Sequence, residues 1–211
     1  LVNDKSTDDS LEFVREHCQD PRITILDNAV NMGAAETRNV GLRAATEEII
    51  AFLDSDDEWH ADKLTQQVAA LAAGDDFVIT EYHYKTRKAE HDITYGKPYL
   101  QQENFVKKQY RVCFSSVCFR RPPQGLFFQR KGHEDFLFLY ELFTRYKQAR
   151  VIQTILVNYY ELGDSLSRNM IKAAQWHLEL LRIIYKNNPL KIYYYYAWYM
   201  VNGVLFTLKH R

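Results

Sequence analysis

The feature that most constrains this chain is the apolar run Ile49-Ile50-Ala51-Phe52-Leu53 followed by Asp54-Ser55-Asp56-Asp57-Glu58-Trp59. Five consecutive apolar residues predict a buried central strand. Four of the next five residues are acidic. In an open α/β sheet, ligands bind beyond the carboxyl ends of the strands. A strand ending here delivers Asp54 and Asp56 to such a crevice, where their like charges repel unless a cation sits between them. Mg2+ or Mn2+ suits the position, because both favour carboxylate oxygens and share them with substrate diphosphates. For a lone Asp-x-Asp the simpler account is an acidic turn that caps the next helix, so the flanking residues have to decide.

Those flanks alternate strand and helix signals. Ser6 or Thr7 is placed to cap a helix, with Asp8 and Asp9 in its positive first turn, and Leu11, Val14 and Cys18 fall on one face. Residues 23–26 predict a short strand, and residues 34–45 a helix whose small side chains allow close packing on a sheet. This βαβ alternation predicts parallel strands joined by right-handed crossovers. A helix over 63–71, a strand over 77–80 and a hairpin or irregular excursion over 81–96 follow. Residues 99–110 read as a helix, 113–119 as a strand and 120–131 as a loop. Beyond them come a helix over 136–146, a β-rich stretch over 151–159, an amphipathic helix over 171–185 and a last helix from Pro189.

A chain of 211 residues is expected to form one domain with a small appendage. Its formal net charge of zero argues against bulk nucleic-acid binding. Cys18, Cys113 and Cys118 are odd in number and form no C-x-x-C pair, so they read as free thiols in a reducing compartment. The opening residues do not read as a signal peptide.

The run Asn31-Met32-Gly33-Ala34-Ala35-Glu36-Thr37-Arg38-Asn39-Val40-Gly41 leads to Ala44-Ala45-Thr46. Ile50 to Asp57 and then Trp59-His60-Ala61-Asp62-Lys63-Leu64 follow in order. Together these closely resemble the family 2 inverting glycosyltransferases of bacterial surface-polysaccharide synthesis, over roughly residues 1–167. The resemblance implies the GT-A fold, a Rossmann-like α/β nucleotide-diphospho-sugar transferase domain. Its central sheet is mixed and flanked by helices. It is expected over residues 1–168, with a C-terminal helical extension over 169–211. Family members have a first strand and loop ahead of the residues that open this sequence, so roughly one βα unit is expected before Leu1.

The resemblance also assigns roles. Asp54 and Asp56 hold the metal, Mn2+ or Mg2+, and Asp54 and Ser55 contact the nucleotide-sugar. Asp4 stands where the family shows Asp-Asp-Gly-Ser, with Asn3 before it and Lys5 in place of Gly; a carboxylate there accepts from a uracil N–H. Asn31, Gly33 and Arg38 form a second group of nucleotide-sugar contacts. Gly33 permits a tight turn, and Arg38 donates to a base or phosphate. The alternative for Arg38 is an ion pair with Asp54 or Asp56. His133-Glu134-Asp135 resembles the family's Glu-Asp motif, with Gly132 one residue further off than usual. An inverting transfer needs a carboxylate to take the acceptor's proton, and the family gives this task to the Asp, hence Asp135 with Glu134 beside it. In the stretch from Tyr159 to Ser167, Leu162 replaces a His that helps bind the metal or diphosphate in relatives.

Residues 192–208 contain one strongly polar side chain, Asn202, between Lys191 and the basic end Lys209-His210-Arg211. The run is short and tyrosine-rich for a membrane span. It is expected to pack on the domain or on a second copy, or to rest on a membrane surface. The whole reads as a metal-dependent glycosyltransferase moving a sugar from a nucleotide-sugar, expected to be a UDP-sugar, to a glycan or lipid-linked acceptor. It is expected in the cytoplasm, at the inner face of the cell membrane. The rival reading is a catalytically silent nucleotide-sugar-binding or scaffolding module. A Mg2+-dependent nucleotidyltransferase fits less well, having no evident use for the Glu-Asp helix.

Overall fold

The computed structural model describes residues 1–87, 89–130, 133–161 and 170–209. The chain divides into two units, Leu1–Glu48 with Pro122–Phe138, and Ile49–Arg121 with Leu139–Arg211. Gly132 and residues 162–167, where Leu162 replaces the His of relatives, lie outside the described residues.

The first unit is built on two short parallel strands, β1 (Val2–Asn3) and β2 (Leu26–Asp27), with Val2 opposite Leu26 and Asn3 opposite Asp27. Helix α1 (Ser10–His17) connects them, and α2 (Ala34–Ala44) packs on β1 with Ala35 and Leu42 buried. The strand expected over 23–26 is confined to its end. Arg22 folds back on Asp20, with its N–H donating to Asp20 Oδ1 at 2.8 Å, and Ile23 is exposed. Asp9, not Ser6 or Thr7, precedes α1. The Ser6 N–H is instead held by Asn3 Oδ1 at 3.3 Å.

The second unit holds a seven-stranded sheet. Its order is β3 (Ile49–Ala51), β8 (Val117–Arg120), β5 (Phe77–Thr86), β9 (Gln148–Glu161) and β4 (Glu58–Trp59). Strand β6 (Glu90–Ile93) joins β5, and β7 (Tyr99–Gln101) joins β9. Within it β5 and β9 are parallel and every other described pair is antiparallel, so the sheet is mixed. Strands β3 and β5 both run antiparallel to β8, and β5 is parallel to β9, so β3, β5 and β9 share one direction and the expected mixed sheet forms. Apolar runs report burial on both faces and carry no record of direction.

The central apolar run also gives less strand than expected. Pairing stops at Ala51, β3 lies at the end of the sheet order, and Leu53 is exposed. Phe52 leaves the ladder to pack against Phe114 and Phe119, with ring centroids 4.9 and 6.3 Å away. The helix expected over 99–110 is replaced by β7 and a short helix, α4 (Gln102–Val106). Leu100 is fully buried in the ladder beside Ala149, and tertiary pairing overrides the helical pattern. Residues 113–119 divide likewise into a 3₁₀ turn, Phe114–Ser116, and β8. The excursion over 81–96 is the β5–β6 hairpin.

Helix α3 (Lys63–Ala72) covers the sheet through Leu71, which packs with Val78 and Cys118. Helix α5 (Glu134–Tyr146) begins in the first unit and continues in the second, where Leu142 and Phe143 are fully buried and Phe143 meets Phe77 edge-on at 5.0 Å. Helices α6 (Met170–Tyr185) and α7 (Pro189–Lys209) pack on each other. Cys18, Cys113 and Cys118 are free thiols.

Lys5 occupies φ +60°, the left-handed region that suits glycine. A side chain there costs about 1–2 kcal/mol, while glycine gives back about 0.5–1 in chain entropy. Lys5→Gly is expected to raise the unfolding free energy by about 0.5–1 kcal/mol, measured by urea denaturation. A loss of stability would show that the Lys5 side chain supplies a compensating contact.

Candidate active site

The acidic turn lies in the second unit, and it uses its carboxylates unequally. Asp57 points inward with only 7% of its surface exposed, while Ser55 and Asp56 are exposed and Asp54 is half-buried. Ser115 Oγ donates to Asp57 Oδ2 at 2.5 Å, the Tyr160 N–H donates to Oδ1 at 3.1 Å, and Cys113 Sγ stands 3.9 Å from Oδ2. The same Ser115 Oγ accepts the Asp54 N–H at 3.1 Å, and the Asp57 N–H closes the turn on the Asp54 carbonyl at 3.0 Å. One hydroxyl thus joins the first and last aspartates of the turn. Burial pushes the Asp57 carboxyl up to about 6; the Ser115 and Tyr160 bonds oppose the rise, and the charges of Asp56 and Asp54 add to it.

The 3₁₀ turn that bears Ser115 is fastened from the other side as well. Trp59 Nε1 donates to the Ser115 carbonyl at 2.8 Å, and Gln67 Nε2 donates to the Ser116 carbonyl at 2.8 Å. Lys63 is fully buried; its ammonium donates to Gln67 Oε1 at 2.7 Å and lies 3.9 Å from the centre of the Trp59 ring. Burial pulls its pKa down to about 8. A buried cation is tolerable here because an amide oxygen and an indole face replace water.

The remaining candidates lie in the first unit. Asp4 is the centre of the loop between β2 and α2. Its Oδ1 accepts from Asn28 Nδ2 and the Met32 N–H, each at 2.9 Å, and its Oδ2 accepts from the Gly33 N–H at 2.8 Å. Asn31 Nδ2 donates to the Asp4 carbonyl at 3.0 Å. Partial burial raises the Asp4 pKa, but the bonds from Met32, Asn28, Gly33 and Thr37 outweigh it and hold the carboxyl below its ordinary value. Gly33 adopts φ +79°, ψ 163° ahead of α2, and a Cβ there would meet nothing within 4 Å, so the demand for glycine is conformational. Asn3, one of the departures from the family pattern, is buried and donates to Asp27 Oδ1 at 2.8 Å, tying β1 to β2.

Arg38 Nη1 donates to Asp135 Oδ1 at 2.6 Å. The Arg38 side chain is 16% exposed and that of Asp135 46%, so a mostly buried guanidinium holds a carboxylate that still reaches solvent. Arg38 lies 5.5 Å from the centre of the Phe128 ring, and Phe128 stacks on Phe138 at 4.1 Å. Phe128 is fixed by Asn39, whose Oδ1 accepts the Phe128 N–H at 2.7 Å and whose Nδ2 donates to its carbonyl at 3.1 Å. Glu134 and Asp135 open α5, where negative charge complements the helix dipole. His133, the residue that separates them from Gly132, sits at φ +51°.

Three structural anchors, Asp57, Ser115 and Asn39, lie outside the sequence-derived site. Asp57 was in view as one acid among four; what singles it out is a partner 58 residues further on. Among the described residues no three His, Cys, Asp or Glu side chains cluster to hold a metal. In the acidic turn a cation would meet Asp56, which is exposed, and Asp54, which is half-buried. Two such donors, completed by diphosphate oxygens and water, match how Mg2+ and Mn2+ are held at nucleotide sites, so the donor set fits.

Residues 1–136 match the family model described as Glycosyl transferase family 2. A UDP-Glc:alpha-D-GlcNAc-diphosphoundecaprenol beta-1,3-glucosyltransferase of Escherichia coli is 28% identical over 213 residues, covering 97% of this chain and 81% of its own. A glycosyltransferase of Haemophilus influenzae is also 28% identical, over 211 residues, covering 97% of this chain and 84% of its own. Among solved structures, S. aureus TarS residues 1–349 in complex with UDP superposes with a TM-score of 0.65 at 17% identity, over 86% of this chain and 55% of that one. The mannosyltransferase PcManGT of Pyrobaculum calidifontis, in complex with GDP-Man and Mn2+, gives 0.62 at 18%, over 89% and 54%. The fold is that of the GT-A glycosyltransferases.

The raised pKa of Asp57 has a definite sign. An unfolded Asp ionises near 3.8, while the folded carboxyl keeps its proton to about 6. Between those values the folded protein binds more protons, so this group's contribution to stability falls as pH rises. In metal-free protein, raising the pH from about 4 to 6 is expected to shift the stability of the native chain relative to Asp57→Asn by about 2 kcal/mol, against the native chain. Urea unfolding of both proteins across that window measures it; a constant difference contradicts the assignment.

Proposed function

We propose that this chain, which belongs to glycosyl transferase family 2, transfers a sugar from a UDP-sugar to a lipid-linked glycan acceptor, with inversion and with a divalent cation. It is a glycosyltransferase by family, and its relatives include enzymes named for lipid-linked polysaccharide synthesis. The observation that carries the finer reading is the division of labour in the acidic turn. Asp57 faces inward as an anchor, while in the same turn Asp56 is exposed and Asp54 half-buried. A divalent cation held by Asp54 and Asp56, Mn2+ or Mg2+, would neutralise charge developing on the leaving diphosphate. We take residues 1–168 as the transferase domain and 169–211 as a helical extension.

The other candidates take roles from their own contacts. Asp4 arranges the Asn28–Gly33 loop and keeps accepting capacity for a uracil N–H. Asn31 and Gly33 present that loop to the nucleotide, and Ser55 beside Asp54 contacts the donor. Asp135 is the base. It removes the proton from the acceptor hydroxyl as that oxygen bonds to the anomeric carbon, and the bond from that carbon to the diphosphate oxygen breaks. The nucleoside diphosphate leaves with the electron pair. Arg38, through its bond to Asp135, orients the carboxylate, and Glu134 stands next to it at the start of α5.

Two variants separate binding from chemistry. Asp56→Ala is expected to abolish Mn2+-dependent UDP binding in calorimetry while the unfolding midpoint holds; unchanged affinity would remove the metal assignment. Asp135→Asn is expected to keep donor binding while transfer falls by about two to four orders of magnitude. Near-normal turnover would move the base to Glu134. Donor binding without turnover in the native chain would instead favour a silent binding module.

A further inference from the structure

Helix α7 presents an apolar face that no described part of the chain covers. Leu190, Tyr193, Val201, Val204 and Leu205 recur at helical spacing on one side of it and are 49–81% exposed. The side opposite is fixed. Ile192 is buried, Tyr195 stacks on Tyr185 at 5.0 Å, Tyr199 stacks on His177 at 4.0 Å, and Asn202 Nδ2 donates to the Lys107 carbonyl at 2.8 Å. These contacts set the rotation of the helix about its axis, so the exposed face is a built surface about 22 Å long. A face of this size without a partner is unfavourable in water and marks an interaction site.

Charge identifies the partner. Residues 180–211 contain no Asp or Glu, and they contain Arg182, Lys186, Lys191, Lys209 and Arg211. A chain of zero formal net charge therefore concentrates positive charge at this end. Two copies meeting through α7 would oppose two such cationic segments with no carboxylate in either to offset them. An anionic surface relieves that charge. A tyrosine such as Tyr193, 70% exposed, sits favourably at lipid headgroup depth, with an apolar ring buried and a polar edge wet. No described helix is long and apolar enough to cross a membrane, so contact in the plane of the surface is the remaining geometry.

We infer that the outward face of α7 docks on an anionic lipid surface, with Tyr193 and the aliphatic side chains of Leu190, Val201, Val204 and Leu205 sunk to headgroup depth and the cations of residues 180–211 on lipid phosphates. This inference stands on α6 and α7 and does not rest on the transferase reading. If both hold, the surface places the enzyme in the same plane as a lipid-linked acceptor.

Flotation of the full chain with vesicles tests it. With vesicles containing phosphatidylglycerol the protein floats at about 0.1 M salt. Partition falls at least about tenfold at about 1 M salt, where charges are screened within about 3 Å, or with phosphatidylcholine alone. Leu190→Ser with Leu205→Ser reduces flotation by about tenfold. Both side chains are more than half exposed, so the unfolding midpoint and calorimetric UDP binding hold. Three results overturn the inference: no flotation of the native chain with anionic vesicles, flotation unaffected by the double substitution, or a native dimer that the substitution dissociates while neither form binds vesicles. The last would make a second copy the partner.

Discussion

One hydroxyl group holds the acidic turn together. Ser115 Oγ donates to the buried Asp57 carboxyl and accepts the Asp54 N–H. Burying a carboxyl is costly unless its oxygens find donors. Asp57 finds them in the Ser115 hydroxyl, the Tyr160 amide and, more distantly, the Cys113 thiol. The turn is thereby pinned to the 3₁₀ segment at one end and to β9 at the other. The neighbouring basic group is satisfied separately, since Lys63 spans Gln67 and the Trp59 ring. Two buried ionisable groups flank the 3₁₀ segment, each with its own partners, and the positions of Asp54 and Asp56 follow from that frame.

The first unit repeats the logic with a different residue. Asp4 gathers the amides of Met32 and Gly33 and the side chain of Asn28, so the loop before α2 is shaped around one carboxylate. Arg38 and Asn39, adjacent on α2, act in sequence. Asn39 fixes the backbone of Phe128, the Phe128 ring lies under Arg38, and Arg38 holds Asp135. The carboxylate proposed as the base is thus kept oriented by a cation that is itself mostly buried.

Much of this was legible in the residues. The order of motifs from Asn31 to Leu64 carried the family and the fold. The helices over 63–72, 134–146 and 170–185 followed from their apolar spacing. That β8 would run antiparallel between β3 and β5 was not legible, because an apolar run reads the same in either direction. The helix expected over 99–110 failed where Leu100 entered the β7 ladder, a tertiary effect that local pattern does not encode. Asp57 and Ser115 escaped notice because their bond joins residues 58 positions apart, and nothing in Asp54-Ser55-Asp56-Asp57 marks which acid turns inward. The substitution at Lys5 was visible in the sequence; that its backbone keeps the glycine-like conformation was not.

The central claim is that Asp54 and Asp56 serve a cation-dependent sugar transfer from a uridine donor. Release of free nucleoside diphosphate from a panel of nucleotide-sugars, with Mn2+ or with a chelator, tests it most directly. The account predicts UDP release from at least one UDP-sugar in the presence of Mn2+ and its loss on chelation. Release that persists in the chelator, or a preference for a donor with another base, would contradict it.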